Sequence, residues 1–227
     1  MISLDNVQLT LSGGSGPVPV LRGVNLHVAQ GEAVSVVGPS GSGKTTMLML
    51  IAGLERAGSG TVRVNGSDMS ALGEDQLARF RRGNIGIVFQ AFHLVSTMTA
   101  LENVALPMEF AHMDNAFSRA KEVLGQVGLA GRENHYPSQL SGGEQQRVAI
   151  ARAFAPKPSI LLADEPTGNL DQETGAKVMD ALFQLKSEYN VTMLLITHDP
   201  AMAERCDRAV HMRNGCINNG AAPTVVP

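Results

Sequence analysis

Gly38-Pro39-Ser40-Gly41-Ser42-Gly43-Lys44-Thr45-Thr46 decides how the rest of the chain is read. The stretch fits G-x-x-x-x-G-K-[ST], a loop whose backbone N–H groups turn inward on a polyphosphate. Its flanks suit that reading. Ala33 to Val37 is a short, β-branched apolar run, as a buried parallel strand requires, and Met47 to Ala52 opens a helix. In a strand–loop–helix order the glycines permit the turn, while the helix N-terminus adds donors and a favourable dipole. Lys44 would reach the β- and γ-phosphates, and the Thr45 hydroxyl would ligate Mg²⁺. An ordinary glycine-rich turn seldom meets this pattern with these flanks by chance, so nucleotide binding is expected.

The bulk properties narrow the classes. A chain of 227 residues can bury a substantial core as one domain, or one domain with a subdomain. Its net charge of −3 gives no basic field for nucleic acid or an anionic membrane. Cys206 and Cys216 make no metal-spaced cluster and are expected to be thiols in a reducing cytoplasm. Met1 to Asp5 shows no basic region followed by an apolar stretch, so no signal peptide is expected. The apolar runs near Met47 to Ala52 and Val191 to Ile196 are too short to span a bilayer. A soluble protein follows, with no direct membrane insertion.

Outward from the loop, residues 2–11 alternate loosely and suggest an edge strand, broken by a loop at Gly13-Gly14-Ser15-Gly16-Pro17. Val24, Leu26 and Val28 alternate more clearly, and Thr61 to Asn65 alternates again, giving a small antiparallel β region. A polar helix over Glu74 to Arg82 precedes a buried strand, Ile85 to Phe89, that ends at Gln90. Thr99-Ala100-Leu101-Glu102 is a capping box for a helix to about His112, and a second helix runs from about Asn115 to Val127, stopped by Gly128. Ser141-Gly142-Gly143-Glu144 repeats the S-x-x-E box. Ile160 to Ala163 is a buried strand carrying Asp164 and Glu165, and Asp171 can cap a helix to about Tyr189. Val191 to Ile196 is another buried strand, followed by Thr197, His198 and the helix start Asp199-Pro200. Arg208 to Met212, the Asn214-Gly215 turn and Cys216 to Asn218 suggest a closing hairpin. Alternating strands and helices around a mostly parallel sheet place the chain in the α/β class, with an N-terminal antiparallel β subdomain and a helical insertion.

Three strands thus end in polar groups: the phosphate loop, Asp164-Glu165 and His198. Ligands of open parallel sheets sit at the carboxyl ends of strands, so these groups can converge on one phosphate site. Four apolar residues before Asp164 make the pattern in which the Asp orders the Mg²⁺ shell. Glu165 is placed to polarise a water attacking the γ-phosphate. An Asp-Glu pair after a strand is usually a loop acid pair, but a phosphate loop in the same chain favours the catalytic reading. His198 alone could equally be a structural histidine.

Leu140-Ser141-Gly142-Gly143-Glu144-Gln145-Gln146-Arg147 settles the comparison. With the phosphate loop, Gln90, Asp164-Glu165, Asn169-Leu170-Asp171 and His198, in this order and spacing, the chain closely resembles the ATP-binding-cassette ATPases from about residue 2 to 218. The resemblance implies a P-loop NTPase core over 1–218, a helical subdomain about 91–155 and a flexible tail at 219–227, with ATP and Mg²⁺ as ligands. It implies that Gln90, with Thr45 and Asp164, serves the metal and links it to partner-contacting helices. His198 would contact the γ-phosphate, and Asp171 would belong to the loop after the catalytic pair. The capped helix after Ser141, with its two glycines, is a second anion site. In the family that site, Ser141 to Glu144, faces the γ-phosphate bound by another copy, so two chains sandwich two ATP molecules.

Phe89-Gln90-Ala91-Phe92-His93-Leu94, Thr99 to Val104 and Ala163 to Asp171 look like the lipoprotein-release and macrolide-export branch. Its subunits serve separately encoded integral membrane permeases from the cytoplasmic face. A cassette ATPase that regulates or scaffolds a membrane complex without transport is the alternative. A soluble DNA-repair or translation cassette would usually carry long coiled-coil insertions or a second cassette, and neither is present. One departure stands out. No Phe, Tyr or Trp precedes Phe80, so Leu11 occupies the place where the family usually stacks an aromatic ring on adenine. Weak base selectivity is expected, with ATP still the substrate.

Overall fold

The computed structural model describes residues 1–13 and 16–218 and divides into two compact units. One comprises the described residues of 1–77 and 195–218; the other is Ala78–Leu194. The tail from 219, and Gly14 and Ser15 of the expected loop, lie outside the described residues.

In the first unit, β1 (Ile2–Gly13), β2 (Gly16–Val28), β4 (Ser59–Val64) and β5 (Ser67–Asp68) form an antiparallel sheet in the order β2-β1-β4-β5. β1 is therefore an interior strand and not the edge strand its pattern suggested. The alternation looked loose because register shifts lie between Leu4 and Val7 and again before Thr10. Asn6 sits in that first shift at φ 49°, so Ile2, Leu4, Val7 and Leu9 all reach the core although their spacing slips by one. Pairing also continues to Gly13 opposite Gly16, which shortens the expected loop and makes β2 a 13-residue strand. The two-residue strand β5 went unread; it follows an Asn65-Gly66 turn with φ 48° and 79°, the positive pair that a tight hairpin needs.

The same unit holds β3 (Ala33–Val37), α1 (Lys44–Ile51), α7 (Pro200–Ala203), β9 (Arg208–Arg213) and β10 (Cys216–Asn218). β3 pairs parallel with β9, Val37 opposite His211, and β9 turns through Asn214-Gly215 into β10 as expected. α1 begins three residues earlier than its apolar run implied, so Lys44 is its first residue.

The second unit holds β6 (Ile85–Phe89), α3 (Ala100–Phe110), α4 (Ala116–Gln126), α5 (Gly142–Phe154), β7 (Ile160–Asp164) and α6 (Gln172–Glu188). α2 (Glu74–Asn84) and β8 (Thr192–Ile196) run across the unit boundaries. β6 and β7 pair parallel from Ile85–Ile160 to Phe89–Asp164. Helices α3, α4 and α5 pack on one another, burying Val104, Met108, Leu124, Ile150 and Phe154. Both capping boxes are formed, at Thr99/Glu102 and Ser141/Glu144, and the Asp171 carboxylate accepts from the Thr174 N–H at 2.9 Å.

Candidate nucleotide site

The loop that leaves β3 carries the groups an anion needs. Gly43 takes φ 104°, a conformation costly for any residue with a Cβ, and a Cβ there would meet Leu21 at 2.9 Å and the Val20 carbonyl at 3.0 Å. That turn delivers Lys44 to the helix start. Lys44 is 9 % exposed, and its ammonium donates to the carbonyls of Gly38 and Pro39 at 2.8 and 2.9 Å. The Ser42 hydroxyl is buried without a hydrogen-bond partner, while nothing stands within 4 Å of where a Cβ on Gly41 would lie. A buried cation, an orphaned hydroxyl and open space at the loop's outer turn fit a polyphosphate.

The sequence reading missed what braces this loop. The Gly215 N–H donates to the Ser42 carbonyl at 3.0 Å, and the Gly215 carbonyl accepts from Arg22 N–H at 2.9 Å. The closing hairpin therefore ties the phosphate loop to β2, and Gly38 lies directly against the Met212 carbonyl. The only sequence signal was the Asn-Gly turn, which predicts a hairpin without saying what it rests on. In the same unit, Thr197 N–H reaches the Val36 carbonyl at 3.3 Å, which sets exposed His198 just beyond a link to the strand feeding Gly38.

The second unit brings Gln90, Asp164 and Glu165 together at one strand-end edge. The parallel register sets Phe89 opposite Asp164, so Gln90 and Glu165 both fall just past the ends of β6 and β7. Asp164 is 9 % exposed and Glu165 is half-buried at φ 47°. Gln90 and Asn169 exchange two hydrogen bonds: Gln90 Nε2 donates to Asn169 Oδ1 at 3.0 Å, and Asn169 Nδ2 donates to the Gln90 carbonyl at 3.1 Å. Residues of α5 hold the neighbouring backbone. Gln146 Nε2 donates to the Phe89 carbonyl at 3.2 Å, and Arg152 donates to the carbonyls of His93 and Phe92 at 2.6 and 2.9 Å. Further along, buried Asn103 donates to the carbonyls of Val95, Met98 and Thr99 and accepts from the Val95 N–H. Asn103, Gln146 and Asn169 all lie within the quoted motifs, but no role could be assigned to them from the sequence, because an amide's partners are set by the fold.

The start of α5 combines a capping box with close packing. The box uses the N–H groups of Ser141, bonded to Glu144 Oε2 at 2.8 Å, and of Glu144, bonded to Ser141 Oγ at 3.3 Å. The amides of Gly142 and Gly143 take no part in the box, and first-turn amides have no intrahelical acceptor. The Ser141 N–H holds the Glu144 carboxyl below its ordinary value, with help from the Ser141 hydroxyl and from Arg132 and Arg147, against a smaller opposing effect of burial. Arg132 pairs with Glu144 at 3.2 Å. The Thr174 N–H likewise holds Asp171 low. Gly143 has a reason that capping alone did not supply: a Cβ there would run into the Thr174 methyl at the start of α6. The spacing of the glycine pair is thus partly an internal packing requirement.

Among the described residues no group of three or more His, Cys, Asp or Glu side chains could hold a metal by itself. Thr45 in the first unit, and Gln90 and Asp164 in the second, each carry an oxygen of the kind that Mg²⁺ takes, a hard cation usually held by one or two carboxylates together with substrate phosphates. No helix is long and apolar enough to cross a membrane among those residues.

Comparison with known proteins agrees with this geometry. A sequence model of the ABC transporter family matches residues 21–168. The chain is 44 % identical over 223 residues to the ABC transporter ATP-binding protein YbbA of Escherichia coli K12, covering 97 % of this chain and 98 % of that one. It is 47 % identical over 218 residues to the lipoprotein-releasing system ATP-binding protein LolD of Geobacter metallireducens, covering 94 % and 97 %. The dimeric structure of the bacterial ABC transporter cassette MJ0796 superposes with a TM-score of 0.89 at 44 % identity, covering 96 % of this chain and 97 % of that one. Its post-hydrolysis dimer bound to ADP and Pi gives the same TM-score at 43 % identity, with the same coverage. With its phosphate loop, acidic strand end and glycine-tipped helix, the chain belongs to the ABC transporter family as an ATP-binding cassette ATPase.

Proposed function

We propose that this ATPase works as a pair of copies on a separate integral membrane permease of the lipoprotein-release or macrolide-export type, at the cytoplasmic face of the membrane. The observation that carries the pairing is the tip of α5. Its capping box leaves the amides of Gly142 and Gly143 uncapped, in a chain whose phosphate loop already has its own helix N-terminus and its own lysine. The dimeric MJ0796 cassette supports the same arrangement. Identity to LolD and YbbA over nearly the whole chain supports the branch.

In this reading, residues 38–46 hold the triphosphate, with Lys44 leaving the Gly38 and Pro39 carbonyls for the β- and γ-phosphates. Thr45, Gln90 and Asp164 would hold Mg²⁺, which when bound would neutralise phosphate charge. Glu165 accepts a proton from the attacking water, and His198 donates to the γ-phosphate. Ser141, Gly142 and Gly143 of the second copy close over it, with Glu144 keeping their helix capped and Asp171 ordering the start of α6. Closure moves the helical subdomain at about 91–155, which passes the motion to the permease. The test is purification of the chain from membranes, identification of what is bound, and reconstitution. An integral membrane permease with ATP-dependent transport is expected. A membrane complex that controls another process and moves nothing would overturn transport.

A further inference from the structure

Only one end of the Gln90 amide can serve a cation: the carbonyl oxygen Oε1, since the NH₂ group has no lone pair to give. In this structure a neighbouring residue decides which end is engaged elsewhere. Asn169 Nδ2 donates to the main-chain carbonyl of Gln90 at 3.1 Å. A carbonyl only accepts, so the Asn169 amide has a single workable orientation. Its Oδ1 is thereby turned to the Gln90 side chain, and an oxygen at that place requires an N–H donor. Gln90 Nε2 supplies it at 3.0 Å. The hydrogen-bond logic fixes both amides in turn, starting from a backbone group that cannot flip.

The surroundings hold the clasp in place. The backbone on either side of Gln90 is anchored to α5 through Gln146 and Arg152. Gly168 passes so close that a Cβ there would come within 2.9 Å of Gln90 Nε2. Gln90 and Asn169 are both exposed, so nothing in the core dictates the amide orientation, and the clasp does.

We propose that Asn169 is a positioning residue of the ATPase: it orients the Gln90 amide so that Oε1, and not Nε2, is offered to the metal of the bound nucleotide. The proposal rests on the reading of Gln90 as a metal-facing residue. Mn²⁺ replaces Mg²⁺ in the test, and its affinity for the full chain with ATP is measured by electron paramagnetic resonance, using Glu165→Gln to prevent turnover. Thermal melting and ATP binding in EDTA serve as controls. Asn169→Ala and the size-matched Asn169→Leu are each expected to weaken Mn²⁺ binding about twofold to tenfold, the worth of one or two exposed hydrogen bonds, with both controls unchanged. Gln90→Glu presents an oxygen whichever way it turns, so in that background the Asn169→Ala effect is expected to vanish. An Asn169→Ala effect of equal size beside Gln90→Glu would show a merely structural role and overturn the proposal. No effect of Asn169→Ala, while Gln90→Ala weakens Mn²⁺, would overturn it alone. If Gln90→Ala itself leaves Mn²⁺ affinity unchanged, the metal-facing reading of Gln90 falls and the proposal falls with it.

Discussion

Glu165 stands at φ 47°, a left-handed conformation that costs a residue bearing a Cβ about 1–3 kcal/mol unless its surroundings impose it. The turn that imposes it is closed by the Gly168 N–H on the Glu165 carbonyl at 3.0 Å. In the proposed mechanism, Glu165→Gln keeps that backbone and removes the proton acceptor. Turnover is expected to fall about 10²- to 10⁴-fold, the usual worth of a general base, while ATP-bound pairs accumulate. Phosphate release and light scattering read the two effects, and normal release would remove Glu165 from its role. Leu11, where the family resemblance would put the adenine, pairs across the hairpin with Val18, and the two are 38 % and 47 % exposed. Two residues further along β2, the Val20 carbonyl abuts Gly43. An aliphatic pair so placed can cover a base without reading it, so ATP and GTP are expected to bind within about tenfold of each other. Competition binding with a much larger preference for ATP would refute this.

At the scale of elements, the start of α5 responds to both pH and packing. The Glu144 carboxyl lies below its ordinary value of 4.5, chiefly through the Ser141 N–H. A depressed carboxyl stabilises the fold fully above its unfolded value and loses that contribution as pH falls through the folded one. The melting-temperature gap between the native chain and Glu144→Ala should therefore be open at neutral pH and narrow below about pH 4.5; a gap that widens in acid would contradict the assignment. Gly143→Ala drives a methyl into Thr174, which should cost about 1–3 kcal/mol by overpacking. Adding Thr174→Ser removes the methyl that is struck and should restore most of the loss in a thermal melt. Persistence of the full penalty in the double variant would mean that Gly143 is needed for another reason.

At the scale of the whole molecule, the proposed pairing makes a prediction that no single chain can imitate. Lys44→Ala spoils the phosphate loop of one chain but spares its α5 tip. Gly142→Asp puts a carboxylate on the tip and spares the loop, and an acid in the first turn is itself favourable to the helix. If each nucleotide lies between two copies, mixing these two chains in the Glu165→Gln background rebuilds one intact site out of two. ATP-dependent association is then expected in the mixture and absent from either chain alone. Equal failure of the mixture would mean that loop and tip act within one chain.

How much of this was legible in the sequence follows from where each constraint acts. Gly38 to Thr46, the two capping boxes, the Asn214-Gly215 turn and the apolar runs before Gln90 and Asp164 were readable because local stereochemistry forces their residue types. They determined the α/β class, the phosphate chemistry and the family. Only the tertiary structure decided that β1 is an interior strand, since a bulge at Asn6 hides its alternation. It also decided that the closing hairpin braces the phosphate loop, that Gly143 makes room for Thr174, and that Asn169 orients Gln90. Backbone carbonyls, amide partners and the space beside a glycine arise between segments that are distant along the chain. A one-dimensional pattern records which residues are present, and only folding assigns those residues their neighbours.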